Sequence, residues 1–218
     1  PYSTAPASSE EVVVSDAVTD VVSEEVSAEE TVSVADAVVK NIKKNKEYIK
    51  KARSLYNSAF PSAERIPFDI LLYKAKGSNV MFFAVVDKAE FKGLTYTVWY
   101  NDIVFIFYLA VEKQARGNGI GSQILNLIKN EFPSCRLVLN IEALDDNADN
   151  NDERIRRREF YVKNGFFGAG YNVREYSVIY ENLCFAPKEK PVTKEEYTAL
   201  IKAYLGPFMY SLYRKLSE

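Results

Sequence analysis

The sequence predicts an α+β protein built on a central mixed, mostly antiparallel sheet of six to seven strands flanked by helices. Three observations predict it. Two apolar stretches, "NVMFFAVVDK" (79–88) and "LTYTVWYN" (94–101), follow each other closely enough to pair as a hairpin. The run "IVFIFYLAV" (103–111) is apolar on both faces and so belongs in the middle of a sheet. Segments with helical spacing of apolar residues lie between and after these strands.

Taken in order, residues 37–43 read as a short first strand. In 45–61, Tyr48, Ile49, Ala52, Leu55, Tyr56 and Phe60 recur at helical spacing, and Pro61 closes the helix. A second short helix is expected from "ERIPFDILLYKA". The segment "KAEFKG", ending at Gly93, is expected to be the turn between the next two strands. After the central strand comes a glycine turn. Ile120, Ile124, Leu125, Ile128 and Phe132 then mark one face of a helix that Pro133 ends. "CRLVLNIEA" is the next strand, "DDNADNND" a polar loop, and "ERIRRREFYVKNGF" an amphipathic helix stopped by Gly165. "GYNV" and "REYSVIYENLCF" are the last strands, and a helical pattern broken at Gly206–Pro207 finishes the chain.

Composition narrows the chemistry. Apolar residues make up 47% of 218, and 28 are Phe or Tyr, enough for one domain with a sizeable core. There is no histidine, so Ser–His and Cys–His mechanisms and His-ligated metals are excluded. Cys135 and Cys184 sit in apolar surroundings and are expected as buried thiols. Residues 1–36 carry nine acids and no Lys or Arg, and read as an acidic low-complexity extension. The body, 37–218, with a helical tail from about 187, holds 28 bases against 21 acids and would suit an anionic ligand. No apolar run is long enough to cross a bilayer and no secretory pattern is seen, so a cytoplasmic location is expected.

The stretch "VEKQARGNGIGSQILNLIKNEF" has glycines at 117, 119 and 121, between the central strand and a helix. A Walker loop would end in Gly-Lys-Ser/Thr, and a dinucleotide loop would be spaced G-x-G-x-x-G; neither fits. The physics they share still applies. Backbone N–H groups with no side chains in front of them, at the positive end of a helix, can grip an anion.

The motif "QARGNG" resembles the Q/R-x-x-G-x-G/A signature of the GNAT N-acetyltransferase superfamily, and "REFYVKNGF" resembles that family's second signature. "LYNSAFPSAERIP" is similar to the first-helix region of several bacterial members. The resemblance covers roughly residues 37–205 and implies a fold in which two central strands splay apart. It implies acetyl-CoA as donor. The diphosphate would lie on the backbone of Gln114, Arg116, Gly117, Asn118, Gly119, Ile120, Gly121 and Ser122. The pantetheine arm would lie along Leu109, Ala110 and Val111. Tyr161 matches the family's position for the acid that protonates the leaving thiolate, whose aqueous pKa is roughly 8.5. Glu64 and Arg65 are candidate acceptor-site residues on the same basis.

One departure concerns the base. Many relatives carry a Glu on the central strand, where this chain offers Phe105 and Phe107. Glu142 is the substitute, with Asn140 on the same face of the next strand as a candidate acceptor contact; a rim carboxylate or a water chain are the other possibilities. The acidic run 142–153 could steer a cationic acceptor, with Arg154, Arg156, Arg157 and Arg158 offsetting it. The expectation is a bacterial acetyl-CoA-dependent N-acetyltransferase, monomer or homodimer, acting on a small-molecule or peptide amine. No metal, membrane or nucleic acid is expected. The alternative is a CoA-binding regulatory or interaction module with reduced catalysis.

Overall fold

The computed structural model describes residues 11–12, 38–42, 45–62, 65–175, 178–186 and 190–217. Strands β1 (Glu11–Val12) and β2 (Val38–Asn41) precede helices α1 (Lys46–Ala59) and α2 (Phe68–Lys74). Then come β3 (Val80–Asp87), β4 (Glu90–Tyr100), β5 (Ile103–Val111), α3 (Ile120–Glu131) and β6 (Arg136–Glu142). The chain continues through α4 (Asn151–Lys163), β7 (Phe167–Glu175), β8 (Val178–Phe185), α5 (Lys194–Leu205) and α6 (Pro207–Ser217). Among the described residues the strands form one sheet in the order β1-β2-β3-β4-β5-β6-β8-β7. Every neighbouring pair is antiparallel except β5–β6. The mixed, mostly antiparallel sheet expected from the sequence is therefore present. The acidic extension lies outside the described residues, apart from Glu11 and Val12, which pair with Lys40 and Val39.

Local chemistry explains the helix ends. The Asn45 side chain accepts from the amides of Glu47 and Tyr48 and so starts α1. That helix stops at Phe60, ahead of Pro61. Thr193 and Glu196 form a reciprocal capping box on α5. Gly165, at φ 82°, terminates α4 as its position in the sequence suggests.

Two turns differ from expectation. The β3–β4 turn is only Lys88–Ala89, with φ of 49° and 65°, the pair of positive values a tight hairpin requires. Gly93 instead lies inside β4, where a Cβ would stand 2.5 Å from the Ala110 carbonyl oxygen; glycine there permits close strand approach. Arg174 and Glu175 end β7 rather than beginning β8.

The sheet separates two cores. On one side, α1, α2 and α5 cover Phe82, Leu94, Tyr96, Phe105, Tyr108 and Val138. On the other, α3 covers Val104, Ile106, Leu137, Leu139 and Ile141. Ile124 and Leu125 are fully buried there, each contributing about 2 kcal/mol. Of α4's residues only Tyr161 is buried, so this helix is less apolar than its expected stripe. Arg136, at the start of β6, is bidentate to both Asp102 and Glu196 and ties α5 to the sheet. Cys135 and Cys184 are buried free thiols, and burial raises both pKa values. Among the described residues no helix is long and apolar enough to cross a membrane.

Candidate active site

The sheet forks between β5 and β6. Their pairing runs only through Ile103↔Arg136, Val104↔Leu137 and Phe105↔Val138. Beyond it β5 continues to Val111 along β4, and β6 continues to Glu142 along β8. The facing edges of these continuations share no ladder, which leaves a cleft bordered by backbone groups.

A bulge shapes one wall of the cleft. β4 and β5 pair in step through Tyr96↔Tyr108, then shift to Thr97↔Ile106, leaving Phe107 as the extra residue. Phe107 and Tyr108 consequently both face the α1 side. Tyr108 OH accepts from the Ile66 amide at 3.3 Å, and its ring lies 4.9 Å from those of both Tyr56 and Phe60. Tyr56 OH in turn donates to Ile66 O at 2.9 Å. These contacts hold the α1–α2 connection against β5. An open depression of about 400 Å³ lies here, lined by Tyr56, Asn57, Ser62, Arg65, Ile66, Pro67 and Phe68. Arg65 donates to Asn57 at its edge, while Glu64 lies outside the described residues.

At the mouth of the cleft β5 leads through a 3₁₀ turn, Lys113–Ala115, into the glycine turn. Gly117 and Gly119 have φ of 80° and 75°, and a Cβ on either would meet nothing within 4 Å. Gly121 differs: its Cβ would stand 2.9 Å from Phe160 Cζ, so its job includes packing α3 on α4. The first backbone bond into α3 is Gln123 N–H to Gly119 O, at 3.0 Å. No described protein group accepts from the amides of residues 117–122. Six successive donors at a helix start with open space before Gly117 and Gly119 fit a diphosphate well. The Arg116 side chain folds back to donate to Val111 O at 3.2 Å, so that carbonyl is already engaged. A second depression, of about 410 Å³, abuts the turn at Gln114 and Ala115, with Lys51 and Lys92 in its lining.

Tyr161 lies on the α3 side, in the same cluster as Ile120 at the glycine turn and Ile141 on β6. Its ring sits between Phe160 and Phe166, and its hydroxyl has no hydrogen-bond partner among the described residues. Burial pushes its pKa up to about 12, partly offset by Arg157. Glu142 is 13% exposed. One carboxylate oxygen meets Arg154 at 3.1 Å and the other Arg157 at 3.0 Å, with Asn150 near both. Arg158 pairs with Glu181. Arg154 and Arg157 therefore meet the first acid of the run 142–153, as expected, and Arg154 also donates to Asn150 and to Ala143 O, while Arg158 reaches β8. Asn140 lies past the fork on the α1 side, donating to Tyr197 OH at 2.8 Å and accepting from Asn182 at 2.7 Å.

Sequence reasoning missed Tyr108 and Tyr197. Nothing in the sequence marks a one-residue bulge, and Tyr197 comes from a tail helix whose packing partner periodicity does not identify.

A forked mixed sheet with a glycine turn entering a helix at the fork's mouth defines the GNAT class of acyltransferase folds. Residues 78–166 match the family model described as the acetyltransferase (GNAT) domain. No curated protein matches the chain. Among solved structures, one described as a GNAT-family acetyltransferase from Bacteroides thetaiotaomicron is 17% identical, with a TM-score of 0.60 over 79% of this chain and 97% of that one. An aminoglycoside 6′-N-acetyltransferase complexed with coenzyme A is 16% identical (TM-score 0.54; 67% of this chain, 94% of that one). The ribosomal-protein-S18-alanine N-acetyltransferase of Escherichia coli is also 16% identical (TM-score 0.53; 68% and 92%). At such identities the likeness is one of fold.

Proposed function

We propose that residues 37–218 form an acetyl-CoA-dependent N-acetyltransferase that passes an acetyl group directly to a primary amine. The observation that carries this reading is the run of amides at residues 117–122, open to an anion and aligned with the β5–β6 fork. The backbone from Gln114 to Ser122 would hold the diphosphate, and the free edge of β5 at Leu109–Val111 would hold the arm. Bound acetyl-CoA would supply the activated acyl group.

The chain's own residues would then position and protonate. Tyr161, kept a neutral phenol by its buried site, is suited to giving a proton to a departing thiolate and unsuited to taking one from an amine. Glu142 is better suited to positioning than to proton transfer, since guanidinium groups meet both its oxygens and hold α4, and with it Tyr161, to β6. A second reading, a CoA-binding module with reduced catalysis, draws on Phe105 and Phe107 standing where a carboxylate could stand.

Calorimetric titration with CoA, followed by thiol release from acetyl-CoA over a panel of amines, tests both. Binding with transfer supports the enzyme, and binding with no transfer to any amine supports the module. Absence of CoA binding removes both.

A further inference from the structure

The α1–α2 connection carries a positive charge that no described carboxylate balances. Arg53, Arg136, Arg154, Arg157 and Arg158 each meet a carboxylate. Arg65 meets only neutral groups: its Nη1 donates to Asn57 O at 3.0 Å and to Asn57 Oδ1 at 2.8 Å. Its Nε and Nη2 have no partner among the described residues, and that edge of a guanidinium can take a carboxylate through two parallel bonds. Asp69, the nearest described acid in sequence, is bidentate to Arg53 and so does not neutralise Arg65. Arg65 is half-buried and lines the depression of about 400 Å³ together with Asn57 and Ser62. The Asn57 Nδ2 and the Ser62 Oγ also lack a partner among the described residues, whereas Tyr56 OH is committed to Ile66 O. The open side-chain groups of the depression are therefore mostly donors, and its described lining holds no acid and no lysine.

The depression adjoins the fork. Ile66, the residue after Arg65, donates its N–H to Tyr108 OH, and the ring of Tyr56, which lines the depression, lies 4.9 Å from that of Tyr108. Tyr108 stands on β5 beyond Phe105, the last residue paired with β6. Burial drives the Tyr56 pKa up and the charge of Arg65 acts against that rise, so the guanidinium is felt at this wall. The amides of the glycine turn lead instead into α3, on the opposite side of the sheet, so an anion at Arg65 is not one of the CoA phosphates. One guanidinium without a lysine beside it matches the single charge of a carboxylate better than the near-double charge of a phosphate. We propose that Arg65, flanked by Asn57 and Ser62, binds a carboxylate carried by the acceptor, so that the substrate is a small amino acid whose amine reaches the β5 edge of the fork while its carboxylate stays in the depression. The inference rests on the acetyltransferase reading and deepens it by naming the acceptor's class. An amine with an uncharged end leaves the guanidinium to water and forgoes the charge-assisted pair.

The test measures thiol release with β-alanine, γ-aminobutyrate and ε-aminocaproate, each against its own carboxamide, alongside calorimetric CoA affinity and melting temperature. Wild type is expected to favour the acid at least tenfold in kcat/KM for the chain length that spans from Arg65 to the fork. Arg65→Gln should bring that ratio close to one by raising KM for the acid, with kcat little changed and CoA affinity within twofold. Asn57→Asp hands the guanidinium a carboxylate of its own, and should remove most of the preference without lowering the melting temperature. If wild type turns over while acid and carboxamide are equal at every length, or the preference survives in both variants, this assignment falls and the acetyltransferase reading stands. If wild type neither binds CoA nor releases thiol with any amine, both fall. Should Arg65→Gln not fold, Asn57→Asp decides, and an unchanged ratio overturns the proposal.

Discussion

Gly121, in the first turn of α3, lies directly against the ring of Phe160 on α4, with room for a hydrogen but not for a methyl group. The two signature segments of the sequence thus meet in space. Gly121→Ala should push the ring aside, costing about 1 kcal/mol and lowering the melting temperature by a few degrees. Phe160→Leu in the same chain should recover most of that loss. Additive rather than compensating melting shifts would show that the contact is not what glycine serves there.

Gly119 answers to a different constraint. Its φ of 75° strains any other residue by about 1 kcal/mol, yet a Cβ would touch nothing. Gly206, at φ 78° and equally open, is a control for strain alone. Gly119→Ala should weaken CoA binding at least tenfold by titration, while Gly206→Ala, at a ψ of 167° that only glycine adopts readily, should cost more stability than Gly119→Ala and leave CoA affinity unchanged. Equal CoA affinities for the two variants would dissociate the turn from anion binding.

Glu142→Gln separates positioning from proton transfer. Losing the carboxylate leaves Arg154 and Arg157 facing a neutral amide, which should cost about 1–2 kcal/mol in denaturant unfolding. The pH–rate profile should keep its shape while turnover falls severalfold through displacement of α4. A shifted limb in that profile would restore Glu142 as the base.

The sequence announced what depends on local chemistry. Pro61, Pro133 and Gly165 mark helix ends where expected, and the doubly apolar run of β5 is central in the sheet. Gly93 misled, because a glycine that admits a neighbouring strand reads the same as one that makes a turn; the true turn, Lys88–Ala89, uses residues that seldom adopt positive φ. The donors of residues 117–122 were legible from glycine spacing. The aromatic residues on the α1 side of the fork were not: Tyr108 faces that side through a bulge, and Tyr197 reaches it from a helix far along the chain. Such side-chain meetings depend on tertiary packing, which hydrophobic period does not encode.

Tyr161→Phe removes a hydroxyl that has no hydrogen-bond partner among the described residues, so stability should hold or rise slightly. Turnover on a good amine should drop about a hundredfold or more, within the range of general-acid effects, with CoA affinity unchanged. Because its pKa is pushed up to about 12, the phenol stays protonated through neutral pH and should contribute no limb to the profile below about pH 11. Unaltered turnover at saturating substrates would remove Tyr161 from the mechanism.

The Arg136 cluster should make stability fall in acid. Hydrogen bonding to Arg136 holds the Glu196 pKa down at about 2 against an ordinary 4.5, and lowers that of Asp102 from 3.8. A depressed folded-state pKa stabilises the fold above the unfolded value, and the benefit disappears as pH falls through the folded one. For Glu196, 30% exposed, this is on the order of 2–3 kcal/mol. The melting temperature should therefore be flat from pH 7 to about pH 5.5 and decline steadily below about pH 4.5. Glu196→Gln should melt several degrees lower than wild type at pH 7, and the gap should shrink through pH 4 to 2 and close below about pH 2, where both chains lack the charge. The absence of a gap at every pH would mean that the residue contributes through its capping bond to Thr193 alone, since a glutamine amide oxygen can accept that bond as well.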